Sequence, residues 1–550
     1  MKKEIQIISD FNSELFYNYL NNIIDKKKYN LNKPNFEMFA SSCYKIINSK
    51  RKSHVLIAWN RAEVIIKEFS NLLMESKLSE KKLFKEVDDY INLILKLSEK
   101  TENLILFSWS LPYLEKGHYL KDLTDVNGLS YNLNKMNLRI SDAIKKKSNI
   151  YLFNIDFLLQ KNNEPFNPKL WYATKTPYNN KLFEIASDDF KEIIENFTIP
   201  RKKLLILDLD NTLWGGVIGD LGWKKINLGG HNYIGEAFLD FQKKIKSLKG
   251  KGIQLAIISK NDEKIALEAF KKNKEMILKL NDFATWRINW KDKAQNLQEI
   301  VKELNLSTDS CVFIDDNINE RNRIKTAFPE ILVPDWPNDP SYYSEEFLKL
   351  NCFNSNYLTK EDENRTQYYK DEKKREKTKK NFLSHDKWLN SLKIKVKIEN
   401  INEENKLRVL QLINKTNQMN LSTRRYSEKE LNQILKDKRV FSGTIRVKDK
   451  LGDMGLVGIF IIEIKQKEIN VLDFILSCRA FGRSIENYMF YQINLYAKKN
   501  RIKKVVFRYK KTKKNQPTLE FLKSLKLKKN DKNNYIFNNE FKILKPKHLN

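Results

Sequence analysis

A chain of 550 residues is longer than one hydrophobic core sustains and predicts several domains. Its 41% apolar and 11% aromatic content excludes a globally disordered chain, and no apolar run approaches the roughly 20 residues that span a bilayer. The formal charge of +32 admits an anionic partner, but lysine fills every region and no arginine–aromatic nucleic-acid motif stands out. A lysine-rich solvated surface is the first reading, an acidic partner protein is compatible with it, and nucleic acid is disfavoured.

The opening Met1-Lys-Lys-Glu-Ile-Gln-Ile-Ile lacks the apolar segment and cleavage site of a signal peptide. Cys43, Cys311, Cys352 and Cys478 are scattered without a paired spacing, which argues against a disulfide framework or structural zinc and predicts a reducing cytoplasm. In residues 1–195, the runs beginning at His54, Asn103 and Ile150 read as buried strands, with helices such as Glu86 to Glu99 between them. That alternation predicts an α/β layer with a largely parallel sheet.

Residues 196–345 repeat the pattern with a chemical addition. The strand-like runs Lys203 to Asp210, Gly252 to Ser259 and Ser310 to Asp316 all end in polar groups, and helix-patterned stretches, Ala237 to Leu248 and Lys293 to Leu304, separate them. A doubly wound parallel sheet collects such strand ends in one crevice. Pro334-Asp-Trp-Pro closes the block. Residues 346–387 include an almost wholly charged run from Thr359 to Lys380, expected to be an exposed connecting helix. Residues 388–550 predict an α+β domain, with helices in Asn402 to Leu435, strands in Val440 to Leu476 and a helix from near Gly482.

Four segments of the middle block carry chemistry. Asp208 and Asp210, two residues apart, share one face of a strand end. One can attack phosphorus while the other protonates the leaving oxygen and later activates water. Ser259 can hydrogen-bond a phosphoryl oxygen, and Lys260 or Asn261 can orient the substrate. Lys291 or Lys293 can neutralise phosphate, with Lys293 favoured because it sits nearer the helix start. Asp315 and Asp316 are adjacent acids, and at about 4 Å two such charges repel by about 4 kcal/mol unless a cation intervenes. Magnesium suits that supply of carboxylates.

The order of these segments resembles the haloacid dehalogenase superfamily. The resemblance implies Asp208 as nucleophile, Asp210 as acid/base, and Thr212, Ser259 and Lys293 as phosphate contacts. Asp208, the carbonyl of Asp210 and the Asp315/Asp316 pair would hold Mg2+, with Asp316 the favoured direct ligand. Little sequence lies between Gly216 and Gly252 for a cap, which implies an open site.

Five segments narrow the resemblance. They are Asp208 to Gly219, Arg287 to Lys293, Phe313 to Asn317, Asn414 to Tyr426 and Ser477 to Arg483. Together they resemble the FkbH-like proteins, which carry a phosphatase domain of subfamily IIIC type (HAD-IIIC) fused to a GNAT-like acyltransferase domain. The resemblance implies action on 1,3-bisphosphoglycerate and transfer of a glyceryl unit, as a thioester, to an acyl carrier protein. The loop Arg479-Ala-Phe-Gly482-Arg483-Ser484 is similar to the phosphate-binding turn of GNAT folds, with Ser484 where a smaller residue is usual. Its amides at a helix start can bind the phosphate of a phosphopantetheine arm.

Cys478 beside that loop either carries the glyceryl group or is a buried strand-end residue. Asn414, Asn417, Gln418, Asn420, Arg424 and Arg425 form a polar cluster expected to touch substrate or pantetheine, against the alternative of a solvated face. The first block resembles a degenerate SGNH-hydrolase domain, with Ile8-Ser9-Asp-Phe-Asn12 replacing the usual nucleophile block, and a docking role is expected of it. Two competing functions remain open. One is a magnesium-dependent phosphatase on another metabolite or a sugar phosphate of surface-polysaccharide biosynthesis; the other is a basic, non-catalytic scaffold or nucleic-acid-binding protein.

Overall fold

The computed structural model describes residues 2–75, 78–113, 115–145, 147–198, 201–354, 361, 364–512, 514–525, 527–530, 534–538 and 543–549. The chain forms two compact units, Met1–Ile199 with Ser427–Lys429, and Pro200–Tyr426 with Glu430–Asn550. The first break thus falls a few residues after the expected 195/196, and the chain beyond it, apart from Ser427–Lys429, packs as one body around two sheets.

In the first unit, β1 (Lys3–Ser9), β2 (Tyr29–Leu31), β3 (Ser53–Trp59), β4 (Thr101–Phe107) and β5 (Ile150–Phe153) form a parallel sheet in the order β2-β1-β3-β4-β5. Successive strand residues face opposite sides, so both faces of a near-continuous apolar strand are buried. Leu56, Leu104 and Leu106 pack with α1 (Glu80–Ser98) and α2 (Leu129–Ile144), whereas Val55, Ile57 and Ile105 pack with α3 (Asn180–Asn196). The Ser9 hydroxyl lies 2.7 Å from the Phe11 carbonyl oxygen and 2.9 Å from the Ser13 hydroxyl, closing a buried turn.

The second unit opens with β6 (Leu204–Leu207), α4 (Tyr233–Gly250), β7 (Gln254–Ser259), α5 (Glu263–Lys272), β8 (Phe283–Ile288), α6 (Lys293–Glu303), β9 (Cys311–Ile314) and α7 (Ile318–Ala327). All four strands are parallel, in the order β8-β7-β6-β9, with cores on both faces. Strand β8 was not legible in advance. It lies at the sheet edge, where Trp286 and Arg287 are only partly buried and dilute the apolar run.

The second sheet begins with β10 (Lys395–Glu399), α9 (Lys406–Lys415) and β11 (Met419–Asn420), once α8 (Arg365–Lys379) has intervened. Strands β12 (Val440–Asp449), β13 (Gly452–Lys465) and β14 (Glu468–Leu476) form an antiparallel meander with β10. Helix α10 (Ile485–Lys499) then crosses to β15 (Lys504–Arg508), parallel to β14, before α11 (Gln516–Ser524), β16 (Lys528–Lys529) and β17 (Asn534–Asn538).

The charged connecting run corrects an expectation. Residues 359, 360, 362 and 363 of it lie outside the described residues, but α8 is not merely solvated: Thr366, Asp371 and Arg375 are buried. Arg375 donates from Nε at 2.7 Å and Nη2 at 2.9 Å to the two oxygens of Asp449 on β12. Lys373 pairs with Glu303 of α6 at 2.9 Å. A helix lacking an apolar stripe can still be buried when each charge meets an opposite one in a good geometry. Among the described residues, no helix is long and apolar enough to cross a membrane.

Candidate active site

The carboxyl ends of β6, β7 and β9 and the start of α6 converge. Asp208 follows β6, Ser259 ends β7, Asp315 and Asp316 follow β9, and Lys293 opens the helix after β8. Parallel strands of similar length leave their polar successors at one edge of the sheet. One carboxylate oxygen from each of Asp208, Asp315 and Asp316 lies within 4.8 Å of the others. Lys293 Nζ is 3.0 Å from Asp208 Oδ1 and 2.6 Å from Asp315 Oδ2, and its side chain is 4% exposed. Lys291 is exposed.

This cluster is electrically unbalanced. Three carboxylates face one ammonium, which leaves an excess of two negative charges. Burial and the charge of Asp208 push the Asp315 carboxyl up to about 7, and the same two causes raise Asp316. A divalent cation matches the deficit in charge and the all-oxygen donor set. Asp315 uses one oxygen on Lys293 and the other on the backbone N–H of Asn317, at 3.0 Å. Asp316 Oδ1 accepts from Thr212 at 3.3 Å, which leaves its second oxygen available to a metal.

The other expected residues join the same network, apart from Lys260. Asn261 donates to Asp210 Oδ2 at 2.9 Å and to the Ser259 hydroxyl at 3.2 Å. Lys260 instead pairs with Glu320, in the first turn of α7, at 2.6 Å and is 42% exposed, so it is not gathered among the aspartates. Burial, ahead of the opposing hydrogen bonds, raises the Asp210 carboxyl above its ordinary range.

Three supporting residues escaped the sequence reading. Trp214 donates its indole N–H to Asp210 Oδ1 at 2.9 Å, beside the backbone N–H of Ile218 at 3.1 Å. Buried Arg321 donates to the carbonyl oxygens of Asp315 and Asp316 at 2.8 and 2.6 Å, fixing the acidic turn. Tyr343 donates to the Asn211 carbonyl at 2.9 Å. The signal for Trp214 was its place four residues after Asp210, ahead of Gly216, whose φ of +93° suits only glycine.

Comparison with family models and with curated proteins gave no match. Among solved structures, the N-terminal part of BF1531 from Bacteroides fragilis, which contains a phosphatase domain and is complexed with Mg, is similar at 30% identity and a TM-score of 0.54. The similarity covers 65% of this chain and 95% of that one. The chain belongs to that protein's family. Its middle sheet is a haloacid dehalogenase-type phosphatase domain. Two N-acetyltransferases, PaiA from Thermoplasma acidophilum and one from Staphylococcus aureus, each overlap 26% of this chain, at 13% and 10% identity, with TM-scores of 0.21. The overlaps cover 96% and 99% of their own chains.

The residues expected to touch a pantetheine arm do not form one group. Arg483 is buried and committed to Glu372 of α8, at 2.8 Å, and to the Arg479 carbonyl, at 2.7 Å. Arg425 donates to Asn417 Oδ1 at 2.5 Å and to the Ile413 carbonyl, latching the loop after α9. Arg424 acts electrostatically on Tyr426 and the buried Asp473. Asn414 brackets Tyr426 through its carbonyl and N–H, at 2.9 and 3.0 Å, and Asn420 is fully buried. The polar cluster therefore mainly builds a loop, because an irregular buried backbone needs side-chain partners.

Cys478, Arg479 and Asn417 do share a cavity, of about 640 Å³. Cys478 is exposed rather than a buried strand-end thiol, and Gly482 has a φ of +71° in the turn ahead of α10. The same cavity is lined by Lys203 and Ser310, which precede β6 and β9. The thiol thus faces the end of the phosphatase sheet opposite its aspartates. Five residue steps of extended chain lead from Lys203 to Asp208, about 17 Å.

Proposed function

We propose that this enzyme converts 1,3-bisphosphoglycerate to a glyceryl thioester on an acyl carrier protein, removing the second phosphate at Asp208. The convergence of Asp208, Asp315, Asp316 and Lys293 carries the phosphatase part of that reading. Mg2+ would be held by Asp208, the carbonyl of Asp210 and Asp316, and when bound it supplies charge neutralisation at the phosphoryl oxygens.

In the acyl step, the Cys478 thiolate attacks the carbonyl carbon of the acyl phosphate, the carbon–oxygen bond to phosphate breaks, and inorganic phosphate leaves. The carrier thiol then attacks the resulting thioester, transferring the acyl group and restoring the Cys478 thiol. In the phosphatase step, an Asp208 oxygen attacks the remaining phosphorus and the bond to the substrate oxygen breaks as Asp210 protonates that oxygen. Asp210 next removes a proton from water, which attacks the aspartyl-phosphate and regenerates the Asp208 carboxylate. Lys293 stays on Asp208 and Asp315, where it offsets the charge that accumulates. Thr212, Ser259 and Asn261 orient the phosphoryl group and Asp210.

The C-terminal sheet supports the acyltransferase part. Its antiparallel meander passes into a parallel β14–α10–β15 unit through a turn at Gly482, the arrangement expected of a GNAT-like domain. The parallel five-stranded sheet of the first unit is compatible with a degenerate SGNH-like domain whose Ser9 closes a turn, which favours a docking role. A second reading, a magnesium-dependent phosphatase on another metabolite or sugar phosphate, draws on the separation of Cys478 from Asp208 across the sheet.

Incubating the full-length protein with Mg2+, 1,3-bisphosphoglycerate and candidate holo-carriers, then weighing the carriers intact, separates the two. The expected result is a carrier heavier by one glyceryl group, with two phosphates released per transfer. Phosphate release without any carrier gain selects the second reading, and neither event defeats both.

A further inference from the structure

The first unit carries a cavity that neither step of the proposed reaction uses. Its chain steps from β1 outward to β2 and then back across to β3, so the strand order β2-β1-β3-β4-β5 changes direction at β1. The helix after β1 (Glu14–Ile23) buries Phe16 and Leu20 on one sheet face, and the helix Lys67–Glu75 after β3 buries Phe69 and Leu72 on the other. Neighbouring strands whose connections leave for opposite faces open a crevice between their carboxyl ends, where α/β sheets place their ligands. Asp10 follows β1 and Arg61 follows β3, and the two bridge that crevice. Arg61 donates its backbone N–H to Asp10 Oδ1 at 3.1 Å and its Nε to Oδ2 at 2.9 Å. Beside Asp10 lies a cavity of about 610 Å³, the size of a small-molecule site.

The walls of this cavity carry one sign of charge. Of 550 residues 101 are Lys or Arg, yet none is among the described residues that line it, whereas Asp10, Glu37, Glu86 and Asp89 are. Arg61 compensates Asp10, and Lys45 compensates Glu37. Glu86 and Asp89, three residues apart on α1, form no ion pair among the described residues; Glu86 Oε2 accepts the backbone N–H of Glu68 at 2.9 Å. Most of the remaining wall is apolar, with Phe36, Met38 and Tyr44 exposed and Phe39 and Tyr90 buried. One polar group of that wall is unspent. The Trp109 indole N–H donates to Asn60 Oδ1 at 2.7 Å, so the Asn60 amide donates to the Tyr90 hydroxyl, at 3.0 Å. Tyr90, 5% exposed, then has no acceptor for its own proton among the described residues.

We propose that this crevice binds a small amino alcohol: an organic ammonium ion on an apolar body that carries a hydroxyl. Glu86 and Asp89 hold the ammonium, Phe36, Met38 and Tyr44 cover the apolar body, and the Tyr90 hydroxyl donates to the ligand oxygen. Like charges one turn apart on a helix repel, and a bound cation removes that cost. The exposed apolar side chains shed water when the body is seated. The same acids repel a phosphorylated metabolite and an acidic carrier. The site is therefore distinct from both steps of the proposed reaction and independent of them.

Saturation-transfer NMR titrations of the full-length protein test this, with saturating Mg2+ present to occupy the Asp208 cluster. The probes are 2-amino-1-phenylethanol, 2-phenylethylamine, which lacks the hydroxyl, 1-phenylethanol, which lacks the amine, and the anion mandelate. The amino alcohol is expected to bind about tenfold or more tightly than 1-phenylethanol and mandelate, the worth of a charge-assisted hydrogen bond. Its advantage over 2-phenylethylamine should be about threefold and should vanish in Tyr90→Phe. Glu86→Gln keeps an oxygen for the Glu68 N–H, and combined with Asp89→Asn it should weaken both amines about tenfold. Asp89→Asn alone, at an exposed position, should cost about threefold and serves if the double variant fails to unfold cooperatively. Equal binding of the amino alcohol and 1-phenylethanol reduces the site to an apolar patch and overturns the proposal. So does an amine affinity unchanged by the acid substitutions, which places the cation elsewhere, or the absence of binding by either amine. A hydroxyl advantage that survives Tyr90→Phe overturns the assignment of an amino alcohol.

Discussion

Two groups of buried charges in the second unit can be set side by side. Around Arg375, the guanidinium meets both oxygens of Asp449, with the two side chains 2% and 0% exposed. Around Lys293, one ammonium serves two of three clustered carboxylates and leaves the third without it. The Arg375 pair is fully buried and the Lys293 cluster is mostly so, with Asp316 partly exposed, yet only the first is balanced. A balanced buried pair sets how elements pack, whereas an unbalanced one is tolerated where something else is to bind or react.

That contrast is open to attack in order of expected effect. Asp208→Asn should lower metal-dependent phosphate release at least about a thousandfold, because it removes the attacking oxygen. It also removes one of the charges that raise Asp315, so thermal unfolding of the metal-free protein should show no matching loss of stability. A large fall in unfolding temperature would mean that the cluster is architectural after all. Arg375→Leu should do the reverse, destabilising the second unit by about 3–5 kcal/mol, since Asp449 is left buried and unpaired. Denaturant unfolding measures this, and a change below about 1 kcal/mol would contradict the role given to the pair. The smallest effect is expected from Trp214→Phe, which deletes one hydrogen bond to Asp210. Phosphate release should slow about tenfold with little change in KM, and an unaltered rate would remove Trp214 from the positioning of that carboxylate.

How much was legible beforehand follows the range of each interaction. Strands β3, β4, β6, β7 and β9 stood out because a strand buried on both faces reads as an unbroken apolar run. The acids that follow β6 and β9 were legible for the same reason: the run ends and the charge begins within a few residues. Edge strands β8 and β10 were not, since their part-exposed positions accept tryptophan, arginine, lysine and glutamate. Within the phosphatase site, Asp208, Asp210, Asn261, Lys293, Asp315 and Asp316 came together as their motifs suggested, but Lys260 did not. A long flexible side chain takes whichever partner lies nearby, and Glu320 stood on the next helix.

By itself, the sequence determined where polar chemistry follows each apolar strand and that magnesium-type phosphoryl transfer suits those acids. Only the tertiary structure decided that Arg483 and Arg425 are latches, that a helix as charged as α8 is partly buried, and that Cys478 faces the rear of the sheet rather than its aspartates. The reason is that periodicity and strand-end chemistry are properties of one segment. The partner of a charge, and the wall opposite a thiol, are supplied by other segments, such as Asp449 for Arg375, 74 residues away, and Glu372 for Arg483, 111 residues away.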